Sequence, residues 1–322
     1  MKYHPHRSVL FVTFSIQEGL LLLCNPLIEA LIKSCLARAA SLYPVLISHL
    51  ILEATHGHLL LTVDNPDDVP QFMRHFKAEV AHRLNNLLGR ELRTIWCEGY
   101  DSPIVLSLPR AIAAIAYLYA NPAKDNLVDS IDLYPGFSTW RMFLKDDNIK
   151  SWPYLRRAQF KQLSPDSHNL PGYTRAAKKL LSDSASFNSF TLHPNAWLDA
   201  FGITDKLEQQ RINNILISRV RKLELRARNK RLKNKRPLFG AERLTKQAID
   251  LSYRPKRTGK KMWCLSERRR IRQPFIRFLK QLFTQAREIR QRWFLGDYSI
   301  PYPLGLYPPA MPKLAEPLFS GG

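Results

Sequence analysis

Residues 44–63, PVLISHLILEATHGHLLLTV, are the stretch that decides the fold. Two runs rich in aliphatic residues flank a short polar break at Thr55, and this pattern predicts two strands joined as a hairpin. We expect the strands over residues 44–54 and 56–63. Because alternate residues of a strand face the same side of a sheet, His56 and His58 are predicted to share one face.

The segments before the hairpin predict one further strand and one helix. VLFVTFSI at residues 9–16 is rich in β-branched and aromatic residues, as strands are. Asn25-Pro26 is a helix start signal, followed by an apolar stripe to about residue 40.

The segments after the hairpin predict two helices and two short strands. Apolar residues spaced four apart indicate a helix over about residues 69–88, and residues 92–96 and 104–106 are short strand candidates. Ser107 can cap a last helix. Asn121-Pro122 is expected to end it, because a residue before proline avoids the helical region.

The resulting order, β-α-β-β-α-β with one more helix, predicts the α+β fold class and a ferredoxin-like split βαβ domain. We expect this domain over residues 1–150. Residues 151–322 are expected to form a mostly helical extension that ends in a proline-rich tail. Within the extension, a basic helix is predicted over residues 207–236 and an amphipathic helix from Pro274 to a stop at Gly296.

The net positive charge of the chain comes entirely from this extension. The chain has 49 Lys and Arg against 27 Asp and Glu, a net charge of +22. Residues 1–150 hold 14 basic against 15 acidic residues, so residues 151–322 hold 35 against 12, a net of +23. A neutral domain joined to a basic one predicts that the basic part binds a phosphate backbone.

Composition also excludes several classes of protein. No apolar run approaches the roughly 18 to 20 residues that span a bilayer, and residues 1–20 lack a signal peptide pattern. We therefore expect a cytoplasmic, nucleoid-associated protein with no membrane partner. The four cysteines form no CxxC pair, the deaminase pattern HxE with PCxxC is absent, and no P-loop or dinucleotide-binding glycine pattern occurs.

The residues that carry chemistry come from two separate elements. The two histidines on one strand face can bind one metal ion. Tyr117 and Asn121 lie four residues apart on the last predicted helix, so they share a helix face. If that helix packs over the central strands, the two pairs meet. Tyr119 lies about 200° around the helix from Tyr117 and is expected to pack in the core, and His4-Pro5-His6 is not expected to bind metal.

With these residues the sequence resembles the single-tyrosine HUH transposases, and especially their REP-associated tyrosine transposase branch. The resemblance covers about residues 5–145. It lies in FVTF (11–14), HGHLLL (56–61), the helix holding residues 72–83, the segment from Trp96 to Gly99-Tyr100, and YLYANPAKDNLV (117–128). Two departures are Gly57, where the family has a bulky apolar residue, and Glu53-Ala54-Thr55, where it commonly has Met-Pro-Asn.

The resemblance implies a mechanism and a cofactor. A divalent ion, Mg²⁺ or Mn²⁺, would be held by His56, His58 and Asn121 and would polarise the scissile phosphate. Tyr117 would attack phosphorus to give a 5′-phosphotyrosine and a free 3′-OH, and a second strand would reverse the step without ATP. Some relatives act as dimers with the tyrosine supplied by the partner, so a homodimer stays open.

Three hypotheses follow. The leading one is a transposase-like strand transferase acting on single-stranded DNA ends that carry a hairpin. The second is a catalytically silent, domesticated protein of the same fold that binds hairpin DNA or structured RNA. The third is an assembly or scaffolding subunit whose basic helices bind RNA or a protein partner. In the first two, the predicted nucleic-acid contacts are basic residues, and Trp263 and Tyr253 are candidates for stacking on bases. Trp293 also lies among the basic residues, but it is on the apolar stripe of its helix and is expected to be in the core. The basic residues are Arg74, Lys77, Arg219, Arg221, Lys222, Arg226, Arg228, Lys230, Arg231, Lys233, Lys235 and Arg236.

Overall fold

The computed structural model describes residues 2–16, 24–53, 55–65, 67–87, 94–159, 175, 178, 179, 181–184, 186–246 and 262–310. Within them the chain is of the α+β class, as predicted. The elements of the first part are β1 (Ser8–Ser15), α1 (Pro26–Leu42), β2 (Leu46–Leu52), β3 (His56–Val63), α2 (Asp68–Leu87), β4 (Ile104–Val105) and α3 (Leu108–Lys124).

The elements of the second part are mostly helical. They are α4 (Trp140–Lys145), β5 (Ile149–Pro153), β6 (Phe187–Thr191), α5 (Ala196–Ala200), α6 (Lys206–Lys233), α7 (Ala241–Thr245), β7 (Cys264–Leu265) and α8 (Arg269–Phe294). Two single-turn 3₁₀ helices span Ile131–Leu133 and Arg157–Gln159. The strand expected at residues 92–96 falls partly outside the described residues, and Trp96 forms an isolated bridge with Ile16.

The main sheet has the strand order β2-β3-β1-β4-β7. β1 is antiparallel to β3 and β4, β2 is antiparallel to β3, and β7 is parallel to β4. β5 and β6 form a separate antiparallel pair. β7 comes from the C-terminal half, so the described sheet joins both halves of the chain. The boundary expected near residue 150 stays a prediction.

Both faces of the sheet are covered. Alternate residues of β1 such as Leu10 and Val12 pack with α1 and α2 on one face, and Val9 and Phe11 pack with α3 and α6 on the other. α6 contributes its apolar stripe, Ile212, Leu216 and Val220, to this second core. The sheet is thus the middle layer between two layers of helix.

The start of α1 was predicted correctly from Asn25-Pro26. The Asn25 side chain caps it, since Oδ1 accepts from the backbone N–H groups of Leu27 at 3.0 Å and Ile28 at 3.4 Å. Ser107 precedes α3 as expected, but its hydroxyl makes no cap hydrogen bond and is buried with no partner among the described residues. Ser107 is therefore the N-cap residue of α3 as predicted, but without a side-chain hydrogen bond to the helix.

The predicted end of α3 at Asn121-Pro122 is wrong, because the helix continues through Pro122 to Lys124. Proline lacks only its own N–H, so later N–H groups can still donate to the carbonyls of Asn121 and Pro122. The Asp125 N–H donates to the Asn121 carbonyl (2.9 Å) and the Leu127 N–H to the Pro122 carbonyl (2.8 Å). Asn121 and Pro122 are buried, so tertiary packing outweighs the local preference.

The two predicted helices of the extension are present, with one corrected start. α6 is predicted well. α8 begins at Arg269, five residues before Pro274, which lies on its exposed side. It ends as predicted at Gly296, whose φ of 88° suits glycine, with the Asp297 N–H donating to the Arg292 carbonyl (3.0 Å). No helix of the described chain combines the length and apolarity needed to cross a membrane.

Candidate active site

The two histidines of β3 face the layer that contains α3. His56 pairs with Ser15 and His58 with Thr13 across the β1–β3 ladder, and their ring centroids are 4.8 Å apart. Gly57, between them, faces the opposite layer of α1 and α2, where the Phe14 side chain lies. The period of two that defines a strand therefore brings the imidazoles together.

His58 is buried, and one of its two ring nitrogens has no hydrogen-bond partner among the described residues. Its Nδ1 lies 2.9 Å from Thr13 Oγ1, and its Nε2 has no hydrogen-bond partner among the described residues. Burial lowers the pKa of His58 well below its ordinary value, and the charges of His56 and Lys124 act in the same direction. The ring is therefore neutral at neutral pH, which is the state that binds a metal ion.

His56 contacts the helix residue that was predicted to join it. The Asn121 side-chain amide donates from Nδ2 to His56 Nε2 at 3.2 Å, and Glu53 Oε2 lies 3.6 Å from the same nitrogen. Burial lowers the pKa of His56, while the Asp125 carboxylate opposes that shift. Asn121 itself is only 2% exposed. The strand and the helix thus meet at these two side chains.

Glu53 is the residue of this site that sequence reasoning missed. It is buried, and its Oε1 has no hydrogen-bond partner in the described chain. Burial raises the pKa of Glu53 well above its ordinary value, and the neighbouring Asp125 carboxyl adds to the rise. An acid at the end of an apolar strand was the available signal. It appeared only as a departure from the family pattern.

Tyr117 lies at the mouth of the site with 41% of its surface exposed. Its ring centroid is 6.0 Å from that of His58, and Lys124 Nζ lies 3.5 Å from the centre of the Tyr117 ring. Burial raises the pKa of the phenol, and the Asp125 and Glu53 carboxylates raise it further. The phenol is protonated at neutral pH, so the site needs added positive charge to make it a nucleophile.

A cavity of about 520 Å³ opens beside this phenol. Its wall includes Thr13, His58 and Arg110 from the first half of the chain and Met262 and Leu265 from the second. Arg110 adds a cation on the same helix as Tyr117. The lining of the cavity therefore includes a tyrosine, an imidazole and a guanidinium.

Tyr119 is in the core, which confirms the prediction made for it. It is fully buried, and its hydroxyl lies 2.9 Å from His49 Nδ1 and 3.0 Å from Thr139 Oγ1. The other histidine pair with HxH spacing is split: His4 is buried with Nε2 2.8 Å from Ser102 Oγ, while His6 is exposed and contacts the Asp64 carbonyl.

The described residues contain no cluster of three His, Cys, Asp or Glu side chains with the spacing of a metal site. The candidate set is instead two imidazoles and an amide, His56, His58 and Asn121. Two buried atoms without partners, His58 Nε2 and Glu53 Oε1, lie in the same region. Neutral imidazole and amide oxygen are ligands that Mn²⁺ accepts, and the nearby carboxyls also suit a cation. The residues present therefore fit a divalent ion.

Most of the predicted nucleic-acid contacts lie on or just after α6. Two of them are used within the molecule: Arg221 pairs with Asp132 at 2.6 Å, and Arg231 with Asp129 at 3.0 Å. The remaining cations of this set are exposed: Arg219, Lys222, Arg226, Arg228, Lys230, Lys233, Lys235 and Arg236.

The other predicted contacts lie elsewhere. Arg74 and Lys77 are on α2, on the opposite layer from α3, and the Lys77 ammonium donates to the Cys97 carbonyl (3.1 Å) and that of Gly99. Trp263 is half-buried with its ring centroid 5.5 Å from that of Phe283. Trp293 is a buried residue of α8. Tyr253 lies outside the described residues. The structure therefore does not bring Arg74, Lys77, Trp263 or Trp293 into the lining of the cavity beside Tyr117.

No family model matches the chain, and no curated protein matches its sequence. Two solved structures are similar to it. A REP-associated tyrosine transposase bound to a REP hairpin is 19% identical with a TM-score of 0.40, and the match covers 46% of this chain and 85% of that one. A protein of Deinococcus radiodurans R1 classed as a transposase is 17% identical with a TM-score of 0.28, covering 34% of this chain and 86% of that one.

Proposed function

We propose that this chain cleaves and rejoins single-stranded DNA through a 5′-phosphotyrosine, with a divalent metal ion, at DNA ends that carry a hairpin. The observation that carries the proposal is the convergence of Tyr117, His56, His58 and Asn121 from a strand and a helix onto one site. A protein that only binds DNA has no need of all four. The reaction is that of the single-tyrosine HUH transposases, which the sequence resembles.

The proposal includes the fold of the first part of the chain. The element order from β1 to β4 and the strand order β2-β3-β1-β4 support a ferredoxin-like domain over residues 1–150. In that arrangement the last helix packs across the central strands. α3 does so here, and its contact with β3 is what places Tyr117 beside His58.

In the proposed reaction the chain supplies the nucleophile and the surroundings of the phosphate. Mg²⁺ or Mn²⁺ held by His56, His58 and Asn121 would polarise the phosphate and offset the negative charge that raises the pKa of Tyr117. Tyr117 Oη forms a bond to phosphorus, the bond from phosphorus to the 3′ oxygen breaks, and that oxygen takes up a proton as the phenol loses one. Arg110 is placed to hold a phosphate oxygen in the cavity.

A second function is favoured by one specific observation. Burial raises the pKa of Tyr117, and the Asp125 and Glu53 carboxyls add to the rise, which opposes formation of the phenolate. A catalytically silent protein that binds hairpin DNA or RNA would tolerate this arrangement. The two functions differ in whether a covalent bond to DNA forms.

The test is a denaturing gel. The full chain is incubated with a labelled hairpin oligonucleotide carrying a single-stranded tail, with Mn²⁺ or with EDTA, alongside the Tyr117→Phe variant. We expect a covalent adduct only with Mn²⁺ and only with Tyr117 present. Tight binding on a native gel with no adduct under any divalent ion would replace the proposal with the silent binder.

A further inference from the structure

Two adjoining grooves run along one face of α6. The first, of about 260 Å³, is lined by residues that include Lys124, Arg226, Lys230 and Arg236. The second, of about 400 Å³, is lined by residues that include Arg219, Lys222 and Arg226. Leu223 and Arg226 belong to both, so the two form one continuous groove. We call it the α6 groove.

One end of the α6 groove reaches the proposed nucleophile. Lys124 lines the groove, and its Nζ also lies 3.5 Å from the centre of the Tyr117 ring. The path from the tyrosine to the basic helix is therefore bridged by a single side chain. A phosphate bound at Tyr117 would have its neighbouring phosphate within reach of this lysine.

The cations of the groove form a row with regular spacing. Arg219, Lys222, Arg226 and Lys230 recur at three or four residues, so they share one helix face. At 1.5 Å per residue the row is about 17 Å long. All four are exposed, and none forms an ion pair with another described residue. The described residues that line the groove include no Asp or Glu.

Two other cations of α6 are already paired. Arg221 pairs with Asp132 at 2.6 Å, and Arg231, which also lines the groove, pairs with Asp129 at 3.0 Å. The buried Glu224 accepts a hydrogen bond from the Ile131 N–H at 2.7 Å. These contacts fix the helix to the body of the molecule, and the four cations of the row stay free for a ligand. A row of unpaired cations without acids is suited to a polyanion.

We propose that the α6 groove holds the sugar–phosphate backbone of the single strand that is continuous with the phosphate at Tyr117. The inference rests on the proposed function, because the groove starts at the residue assigned as nucleophile. The row is one cation wide, so it contacts one backbone, and the choice of a single strand follows from the proposed function. The exposed Ile215 in the same groove offers apolar surface to a base.

The test uses two variants of the full chain with equal loss of charge. The first is Lys222→Gln/Arg226→Gln/Lys230→Gln in the groove. The matched control is Arg277→Gln/Lys280→Gln/Arg287→Gln, three exposed cations of α8 that line neither groove. Both are made in the Tyr117→Phe background, and thermal unfolding checks that each folds. Affinity for a single-stranded oligonucleotide is measured from low salt to about 1 M.

We expect the groove variant to have a shallower salt slope, by about 2 in log K against log salt for three lost phosphate contacts. This corresponds to about a hundredfold weaker binding at 0.1 M salt when binding is equal at 1 M. The α8 control should keep the original slope. Equal losses in both variants would overturn the proposal in favour of unspecific charge, and a loss confined to RNA of the same sequence, or no loss, would also overturn it.

The Tyr117→Phe background separates this test from that of the proposed function. Binding needs no covalent step, so the groove result stands whether or not the unsubstituted chain forms an adduct. An adduct with an unchanged groove slope would refute the groove alone. A changed groove slope with no adduct would refute the chemistry alone.

Discussion

The Phe14 ring fills the space that a side chain at position 57 would occupy. A Cβ built on Gly57 would lie 2.3 Å from Phe14 Cζ and 3.0 Å from Leu52 Cδ2, both closer than van der Waals contact allows. Phe14 in turn packs edge-on against Phe76 and Trp96. The chain thus fills this part of the core from β1 and not from the residue between the histidines.

This relationship predicts a coupling between positions 14 and 57. Gly57→Ala should destabilise the protein by about 1–3 kcal/mol, because it overpacks a filled core. In a Phe14→Leu background the same change should cost less, by about 1 kcal/mol or more. Urea unfolding of the four proteins measures the coupling. Purely additive losses would show that Phe14 is not what excludes a side chain at position 57.

The two tyrosines of α3 should separate chemistry from stability. Tyr117→Phe removes an exposed hydroxyl, so it should abolish the adduct and change the free energy of unfolding by less than about 0.5 kcal/mol. Tyr119→Phe leaves the buried His49 Nδ1 without its hydrogen-bond partner, while Thr139 keeps its bonds to Leu50, so the change should cost about 1–3 kcal/mol and keep the adduct. Adduct gels and urea unfolding check both. The reverse pattern in the gels would move the nucleophile to Tyr119.

The proposed metal ligands should be visible without any reaction. Mn²⁺ at a hundred times its dissociation constant should stabilise the unsubstituted protein by about 2.7 kcal/mol. His58→Ala should remove that response, whatever its own effect on stability. The matched control is His6→Ala, an exposed histidine of the other HxH pair, which should keep the full response. Thermal unfolding with and without Mn²⁺ measures this, and a persistent response in His58→Ala would place the metal elsewhere.

Stability in acid should depend on Glu79. Burial alone would raise the pKa of Glu79, but hydrogen bonds and charges from Arg157 and Arg83 outweigh it and lower the pKa to about 2. The folded pKa lies below the ordinary value of 4.5, so the stabilisation is present above about pH 4.5 and is lost as the pH falls toward 2.

The matching variant is Glu79→Gln. It should be less stable than the unsubstituted protein by about 1–2 kcal/mol at pH 7, a figure reduced for solvent screening because Arg157 is half exposed. The difference should shrink as the pH falls from about 4.5 toward 2 in urea unfolding. A difference that does not change with pH would mean that the carboxylate charge does not contribute.

Features that depend on local periodicity could be predicted from the sequence. The face shared by His56 and His58 follows from the strand period, and the separate directions of Tyr117 and Tyr119 follow from the helix period. Asn25 as a helix cap needs only its neighbours. These features set most of the candidate site, because the site lies where one strand and one helix cross.

Features that depend on distant partners could not be predicted. α3 continues past Pro122 because Asn121 is held by His56, and no local rule contains that contact. Arg221 and Arg231 look like free cations in a basic run, but their acids, Asp132 and Asp129, lie about a hundred residues earlier in the chain. Glu53 is buried by the packing of α3, so its burial is a tertiary effect.

The pairing of β7 with β4 also has a consequence for synthesis of the protein. Ile104 pairs with Cys264, so strand β4 is made 160 residues before its partner. At 5–20 residues per second, a ribosome needs roughly ten to thirty seconds to cover that distance. During this time the nascent chain already has Tyr117 and both histidines, but the wall formed by Met262 and Leu265 is missing. The cavity beside the tyrosine is therefore completed only after residue 265 has been made, and shorter nascent chains carry an open site.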